Sequence, residues 1–370
     1  MNLTYCKPTP IVCVCQNSCP AFVIFCNRGY YEAYNLGGYM ISYAIVIFVH
    51  GTILPTPSCT ATIRAIPAFF CNECYEKRSL HDAYLDQLRF TSFYQYQPIG
   101  DYGLHVINHT GDHFSPTTFT IEQWFSKAIQ KTHVPSYKKT FFYTFGWNGK
   151  LSNKSRRLAG TTLHQQLREE IDRVMQQEKI QRSNINVICI GHSHGGNVLL
   201  YMAEQNNREI ELNKKLTIDT LVTLGTPIQP QTARFVRDRM FKRIFHLFSR
   251  GDMVQIADII SSENNESKRK FFPTQKSVLN IEVTIGKKKP LHNELWLAKA
   301  PGNYLYRPSL AIAPYPVAVF LPWIWHYAST QKSPLARIHL DQHKNIISLT
   351  GFNQEKKPIV SYVIDRKLFL

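Results

Sequence analysis

The five residues Gly191-His192-Ser193-His194-Gly195 carry the clearest chemistry in this chain. A serine hydroxyl is a weak nucleophile until a base takes its proton and fixed donors receive the oxyanion that forms on the attacked carbonyl. A sharp turn between a strand and a helix meets both needs. It lifts the Ser193 side chain clear of the sheet and aims the backbone N–H of His194 at the reacting carbon. Such a turn crowds its flanks, and glycine stands two residues away on either side, at Gly191 and Gly195. Alone, the pattern has modest weight, since average composition produces it by chance in roughly one chain in ten of this length.

The elements that must position this turn add the missing weight. Ile185 to Ile190 is a short β-branched apolar run suited to a buried parallel strand, and Asn197 to Glu204 has helical spacing. Strand, turn and helix thus follow in the required order. Similar runs recur at Ala44 to Val49, Phe141 to Phe145, Thr220 to Leu224, Ile244 to Phe248 and Val278 to Ile285. Leu163, Leu167, Ile171, Val174 and Met175 repeat at helical period in a charged background. This alternation predicts an α/β fold, a mostly parallel central sheet flanked by helices. Ile346 to Leu349 and Ile359 to Ile364 flank Gly351-Phe352-Asn353 and predict a C-terminal hairpin. Residues 54–140 show no strong period and are expected to form an insertion or cap rich in aromatics. Residues 1–39 mix cysteine, proline and aromatics without period and are expected to be an N-terminal extension, leaving 40–370 as the folded domain.

With 43 Lys and Arg against 26 Asp and Glu, the net charge of +17 favours anionic partners, an anionic membrane surface among them. A solubilising basic surface explains the charge equally well. The basic residues fall in scattered clusters without interleaved aromatic platforms, so no nucleic-acid partner is expected. Nine cysteines give no complete disulfide framework, and Cys71-Asn72-Glu73-Cys74 lacks the second pair that a zinc site needs. Gln16, Asn17 and Pro20 interrupt the apolar region of the N-terminus, so it makes no clean signal peptide, and Met40 to Val49 is too short to span a bilayer. A cytoplasmic or peripheral-membrane location is the expectation. Pro308 to Gln331 contains no charged residue but holds Pro314, Pro316 and Pro322, which rule against one continuous helix. It reads either as a lid or lipid-docking surface, or as core.

These segments together resemble the α/β-hydrolase superfamily, and within it lipase-like serine esterases. Val187 to Asn197 is similar to the family's nucleophile segment, which assigns the nucleophile to Ser193. Ile45 to Val49 followed by His50-Gly51-Thr52 is similar to its oxyanion strand, so the resemblance implies an oxyanion hole made by the backbone N–H groups of Thr52 and His194. Leu221 to Pro227 resembles the strand and Gly-Thr-Pro turn that many lipases carry after the elbow helix. The family's serine, acid, histidine order implies Asp252 as the acid, on Ser249-Arg250-Gly251-Asp252 after the run Ile244 to Phe248. It implies His292 as the base, in Pro290-Leu291-His292 after the next strand. Asp219 and Asp258 compete less well for the acid, and His326, His339 and His343 for the base. A turn aspartate and a surface histidine at a helix start are the ordinary readings of Asp252 and His292.

The resemblance therefore implies hydrolysis of carboxylic esters, lipid-like ones in view of the basic surface, through an acyl-enzyme and with no cofactor. The same triad would serve a thioesterase or acyltransferase, and a hydrolase fold without turnover would serve as a lipid- or protein-binding module.

Overall fold

The computed structural model describes residues 42–52, 100–107, 116–132, 137–211, 215–257, 268–271, 278–296, 315–329, 331, 333–352 and 356–369. The expected N-terminal extension, Cys71, Cys74 and Asp258 lie outside the described residues. In chain order the elements are β1 (Ser42–Val49), β2 (Gly103–Val106), α1 (Pro116–Thr132), β3 (Tyr137–Gly146), α2 (Asn153–Glu178), β4 (Ile185–His192) and α3 (His194–Arg208). There follow β5 (Thr220–Leu224), β6 (Ile244–Phe248), β7 (Val278–Ile285), α4 (Leu321–Ser329), β8 (Leu335–His343), β9 (Ile346–Phe352) and β10 (Pro358–Asp365), with short helical turns between.

The strands form one 10-stranded sheet in the order β10-β9-β8-β7-β6-β5-β4-β1-β3-β2. From β3 across to β8 neighbouring strands run parallel. An antiparallel strand closes one edge at β2, and the β9–β10 hairpin closes the other. The chain leaves β1 for β3 on one side and then crosses back to β4 on the other. Where a doubly wound sheet reverses direction in this way, its strands open a crevice at their carboxyl ends. His50 and Ser193 follow those two strands.

The apolar run of β1 is what a strand covered on both faces requires. Ala44, Val46 and Phe48 join Ile121, Phe125 and Ala128 of α1 in one core cluster. Tyr43, Ile45, Ile47 and Val49 join Leu163, Leu167, Ile171 and Val174 of α2, and Val198 to Ala203 of α3, in a second cluster on the opposite face. Each of the four α2 side chains is at most 2% exposed. Burying a side chain of that size contributes about 1.5–3 kcal/mol, so this stripe outweighs the polar remainder of the helix. Ser152 caps α2 by accepting the Ser155 N–H, and Lys179 ends it in the left-handed conformation, donating its N–H to the Met175 carbonyl.

Elements in three segments differ from the sequence reading or resolve it. Within 54–140, where no period was expected, α1 buries Ile121, Phe125, Ala128 and Ile129 at i, i+4, i+7 and i+8, and β2 pairs on the sheet. Strand β8 escaped prediction because Leu335 to His343 alternates half-buried and buried positions between polar side chains instead of forming an apolar run. The uncharged stretch resolves toward core. Val317 to Leu321 is fully buried, and Pro322 sits in the first turn of α4, where the missing N–H costs nothing. Residues 308–314 lie outside the described residues.

Candidate active site

Ser193 connects β4 to α3 with φ 52° and ψ −131°, a backbone conformation that a residue with a side chain seldom adopts. Surrounding bonds hold it there. The Ser193 N–H donates to the Leu224 carbonyl at 2.9 Å, and the Ser193 carbonyl accepts from Gly196 N–H at 3.1 Å. Gly195 packs against β1 so closely that a Cβ on it would stand 2.5 Å from the carbonyl oxygens of both Val49 and His50, which only glycine permits. The end of β1 therefore lies directly on the elbow, and Gly51 abuts the Ser193 side chain.

That end is itself fixed. Trp147 donates its backbone N–H to His50 Nε2 at 3.1 Å and its indole N–H to the His50 carbonyl at 2.8 Å, while the two rings stack. With Nε2 accepting, the His50 proton is on Nδ1, which donates to the Gly51 carbonyl at 2.7 Å. Two residues on, Thr52 has a buried hydroxyl with no partner among the described residues.

Asp252 follows β6 and is fully buried. Its Oδ2 accepts from His292 Nδ1 at 2.8 Å. Its Oδ1 accepts the Gln255 N–H at 3.3 Å, and its carbonyl accepts Arg269 Nε–H at 3.0 Å. His292 lies on the loop after β7 with its side chain 12% exposed. Behind the pair runs the turn after β5. Gly225 has φ 60°, and a Cβ there would stand 2.9 Å from Asp252 Oδ2 and 3.1 Å from His292 Nδ1. Because Leu224 receives the Ser193 N–H, the serine and the Asp252–His292 pair share the Leu224-Gly225 turn as a common wall.

The histidines beside Ser193 pack and brace. His192 donates Nε2–H to the His292 carbonyl at 3.1 Å and stacks flat on Trp296, centroids 5.6 Å apart. Burial, and next the neighbouring His292 ring, push its pKa well below the usual histidine value, so His192 is neutral. His194 Nδ1 accepts from Asn197 Nδ2 at 3.3 Å. Asn197 also donates to the Pro227 carbonyl at 3.1 Å and accepts from Thr232 at 2.6 Å, tying α3 to the Gly-Thr-Pro turn.

The competing residues are employed elsewhere. His326 Nδ1 meets the Tyr362 hydroxyl at 2.6 Å, His339 Nδ1 meets Thr284 at 3.0 Å, and His343 ends β8. Asp219 clasps the amino-terminal side of the sheet, accepting the Val187 N–H at 2.9 Å and the Lys242 ammonium at 2.7 Å. A cavity of about 90 Å³ lies at that same side, lined by Tyr137, Asn186, Asp219, Arg243 and His326, at the opposite strand ends from Ser193. Cys189 is a buried thiol inside β4, and burial pushes its pKa up.

Sequence reasoning missed His246, buried in the middle of β6. Its Nε2–H donates to the Arg269 carbonyl at 2.7 Å, and its Nδ1 accepts from the Thr223 hydroxyl at 2.7 Å. Burial pushes its pKa down to about 4. It anchors Arg269, which in turn holds the Asp252 backbone. The available signal was a histidine centred in the apolar run Ile244-Phe245-His246-Leu247-Phe248, where a polar ring must find partners.

Against known proteins, residues 42–288 match the model of the PGAP1-like alpha/beta domain. The chain belongs to that family. It is thereby a member of the α/β-hydrolase superfamily. The PGAP1-like match takes in Ser193 and Asp252 and ends short of His292. No curated protein matches the chain. Among solved structures it is similar to the product of gene lin2722 from Listeria innocua, at 12% identity over 80% of this chain and 98% of that one, with a TM-score of 0.33.

Proposed function

We propose that the protein is a serine hydrolase that cleaves carboxylic esters, lipid-like ones, with Ser193 as nucleophile, His292 as general base and Asp252 as its orienting acid. The observation that carries this reading is the 2.8 Å bond from His292 Nδ1 to the fully buried Asp252 carboxylate. It keeps the ring proton on Nδ1 and leaves Nε2 as the lone-pair face that can take a proton. The strained elbow conformation of Ser193 supports the same reading.

In the reaction, His292 Nε2 takes the Ser193 hydroxyl proton as Oγ attacks the ester carbonyl carbon. The carbonyl oxygen becomes an oxyanion received by the backbone N–H groups of His194 and Thr52, with the positive end of α3 behind it. Collapse expels the alcohol, which leaves with the proton from His292. Water then attacks the acyl-serine, His292 takes its proton, and the carboxylic acid departs as Ser193 regains its hydrogen.

A fluorophosphonate probe and a series of p-nitrophenyl esters of rising chain length test the proposal on wild type, Ser193→Ala and His292→Ala. Labelling confined to Ser193, with turnover lost in both variants, is expected. Equal labelling of Ser193→Ala would remove the nucleophile, and full turnover by His292→Ala would remove the base.

A further inference from the structure

The loops that carry Asp252 and His292 expose apolar side chains that the chemistry does not require. Met253, next to Asp252, is 60% exposed; Val254 is 44% exposed; and Leu291, next to His292, is 37% exposed. Single exposed apolar side chains are ordinary on any surface, but these belong to two loops in direct contact. Gly251 packs on the backbone of Lys289 and Pro290, bringing the Asp252 loop against the segment that carries Leu291.

Cations rim the same place. Arg269 holds the Asp252 carbonyl and reaches Met253 Sδ at 3.4 Å, and it lies between exposed Lys268 and Lys270. Exposed Lys287 and Lys289 stand just ahead of Leu291 in the chain. Among the described residues, the carboxylates nearby have partners of their own. Asp252 holds His292, Glu294 accepts the Leu291 N–H, and Glu282 pairs with Arg250 and Arg337.

We propose that this face docks on the surface of an anionic phospholipid bilayer, with Met253, Val254 and Leu291 entering the headgroup–acyl boundary and the surrounding lysines meeting lipid phosphates and carboxylates. The charge complementarity selects this occupant: an apolar tip ringed by cations suits a surface that is anionic outside and apolar beneath. Docking would set the Ser193 mouth against the membrane, and to that extent it builds on the ester-hydrolase reading.

Vesicle co-sedimentation tests it on the full chain carrying Ser193→Ala, so that binding is read without turnover. Phosphatidylcholine vesicles with and without phosphatidylserine are compared at about 0.1 M and about 1 M salt, where the screening length falls from ~10 to ~3 Å. The protein is expected to pellet with phosphatidylserine vesicles and to be released at high salt. A cation near such a surface is worth roughly fivefold in binding, so Lys287→Glu with Lys289→Glu should lose at least tenfold. Met253→Ser with Leu291→Ser removes apolar tips without changing charge and should also lose most binding, whereas Lys138→Glu at the far strand ends should not. Equal binding to both vesicle types, or unchanged binding by either double variant, would overturn the proposal. So would absence of vesicle binding together with a concentration-dependent dimer in sedimentation velocity, which would assign the face to a second copy of the chain. Absence of probe labelling in the wild-type chain, with vesicle binding intact, would sink the triad and leave the docking face standing.

Discussion

Asp252 and His292 come from loops after different strands, 40 residues apart in the chain, yet meet through one hydrogen bond backed by the turn at Gly225. The acid is sealed from solvent while the ring it holds is partly open to it. That arrangement suits a base that must reach substrate while its far nitrogen stays fixed.

Replacing Asp252 by Asn keeps the volume but offers an amide N–H where the imidazole N–H needs an acceptor. The ring is then free to take the wrong tautomer, and kcat is expected to fall by roughly 10³–10⁴-fold. Ser193→Ala and His292→Ala should each cost about as much as the two combined, because groups acting as a unit are not additive. Steady-state kinetics on a p-nitrophenyl ester checks both statements, and additive losses would argue against a shared step.

His192 braces both the loop and the ring of His292. Phenylalanine at this position keeps the flat stack on Trp296 but leaves the His292 carbonyl without its donor. An unmet buried acceptor costs about 1–3 kcal/mol, and the displaced base should lower kcat by roughly ten- to a hundredfold with KM little changed. Glutamine, which can still donate, should recover part of the loss. A variant that shifts KM alone would place His192 in substrate binding instead.

Gly225→Ala places a methyl group against Asp252 Oδ2 and His292 Nδ1 at a residue whose φ is 60°. The left-handed backbone alone costs roughly 1–2 kcal/mol for a residue with a Cβ. Urea unfolding should show a destabilisation of at least that size, and activity should fall further than stability explains. An unchanged kcat would mean that the pair tolerates being pushed apart.

Acid should destabilise this protein early. His192, His246 and His164 are all held below the usual histidine pKa, chiefly by burial, His246 at about 4. A depressed histidine stays neutral when folded but binds a proton once unfolded. Its contribution is complete above about pH 6.5 and drains away as pH falls toward the folded value. For His246 the window runs from about 6.5 to 4 and amounts to about 3 kcal/mol. The urea midpoint should therefore drop steadily from pH 7 to pH 4, and His246→Asn should flatten part of that slope. A midpoint constant across this range would contradict the assignment.

The parallel strands β5, β6 and β7 run over the same residues as the apolar runs read from the sequence, because strands buried on both faces cannot hide their composition. The Ser193 turn was legible for a related reason: a strained conformation needs small neighbours, and glycine leaves a visible trace. Other features left none. Among the described residues the period of α1 is carried by four buried apolar side chains among polar ones, and β8 alternates too briefly to stand out. The bracing of His292 by His192, and of Asp252 through Arg269 and His246, depends on contacts between distant segments that no local pattern encodes.

The place of β1 in the sheet has a consequence for how the chain is made. Ile45 is paired with Phe141 on one side and Val187 on the other, partners 96 and 142 residues further along. During synthesis this strongly apolar ribbon emerges long before either neighbour exists, and contacts so distant in sequence close slowly. Until β4 arrives, β1 is a free sticky edge that must be kept from joining other nascent chains. The Ser193 turn, resting on the Val49 and His50 carbonyls, then takes shape only as that edge is closed.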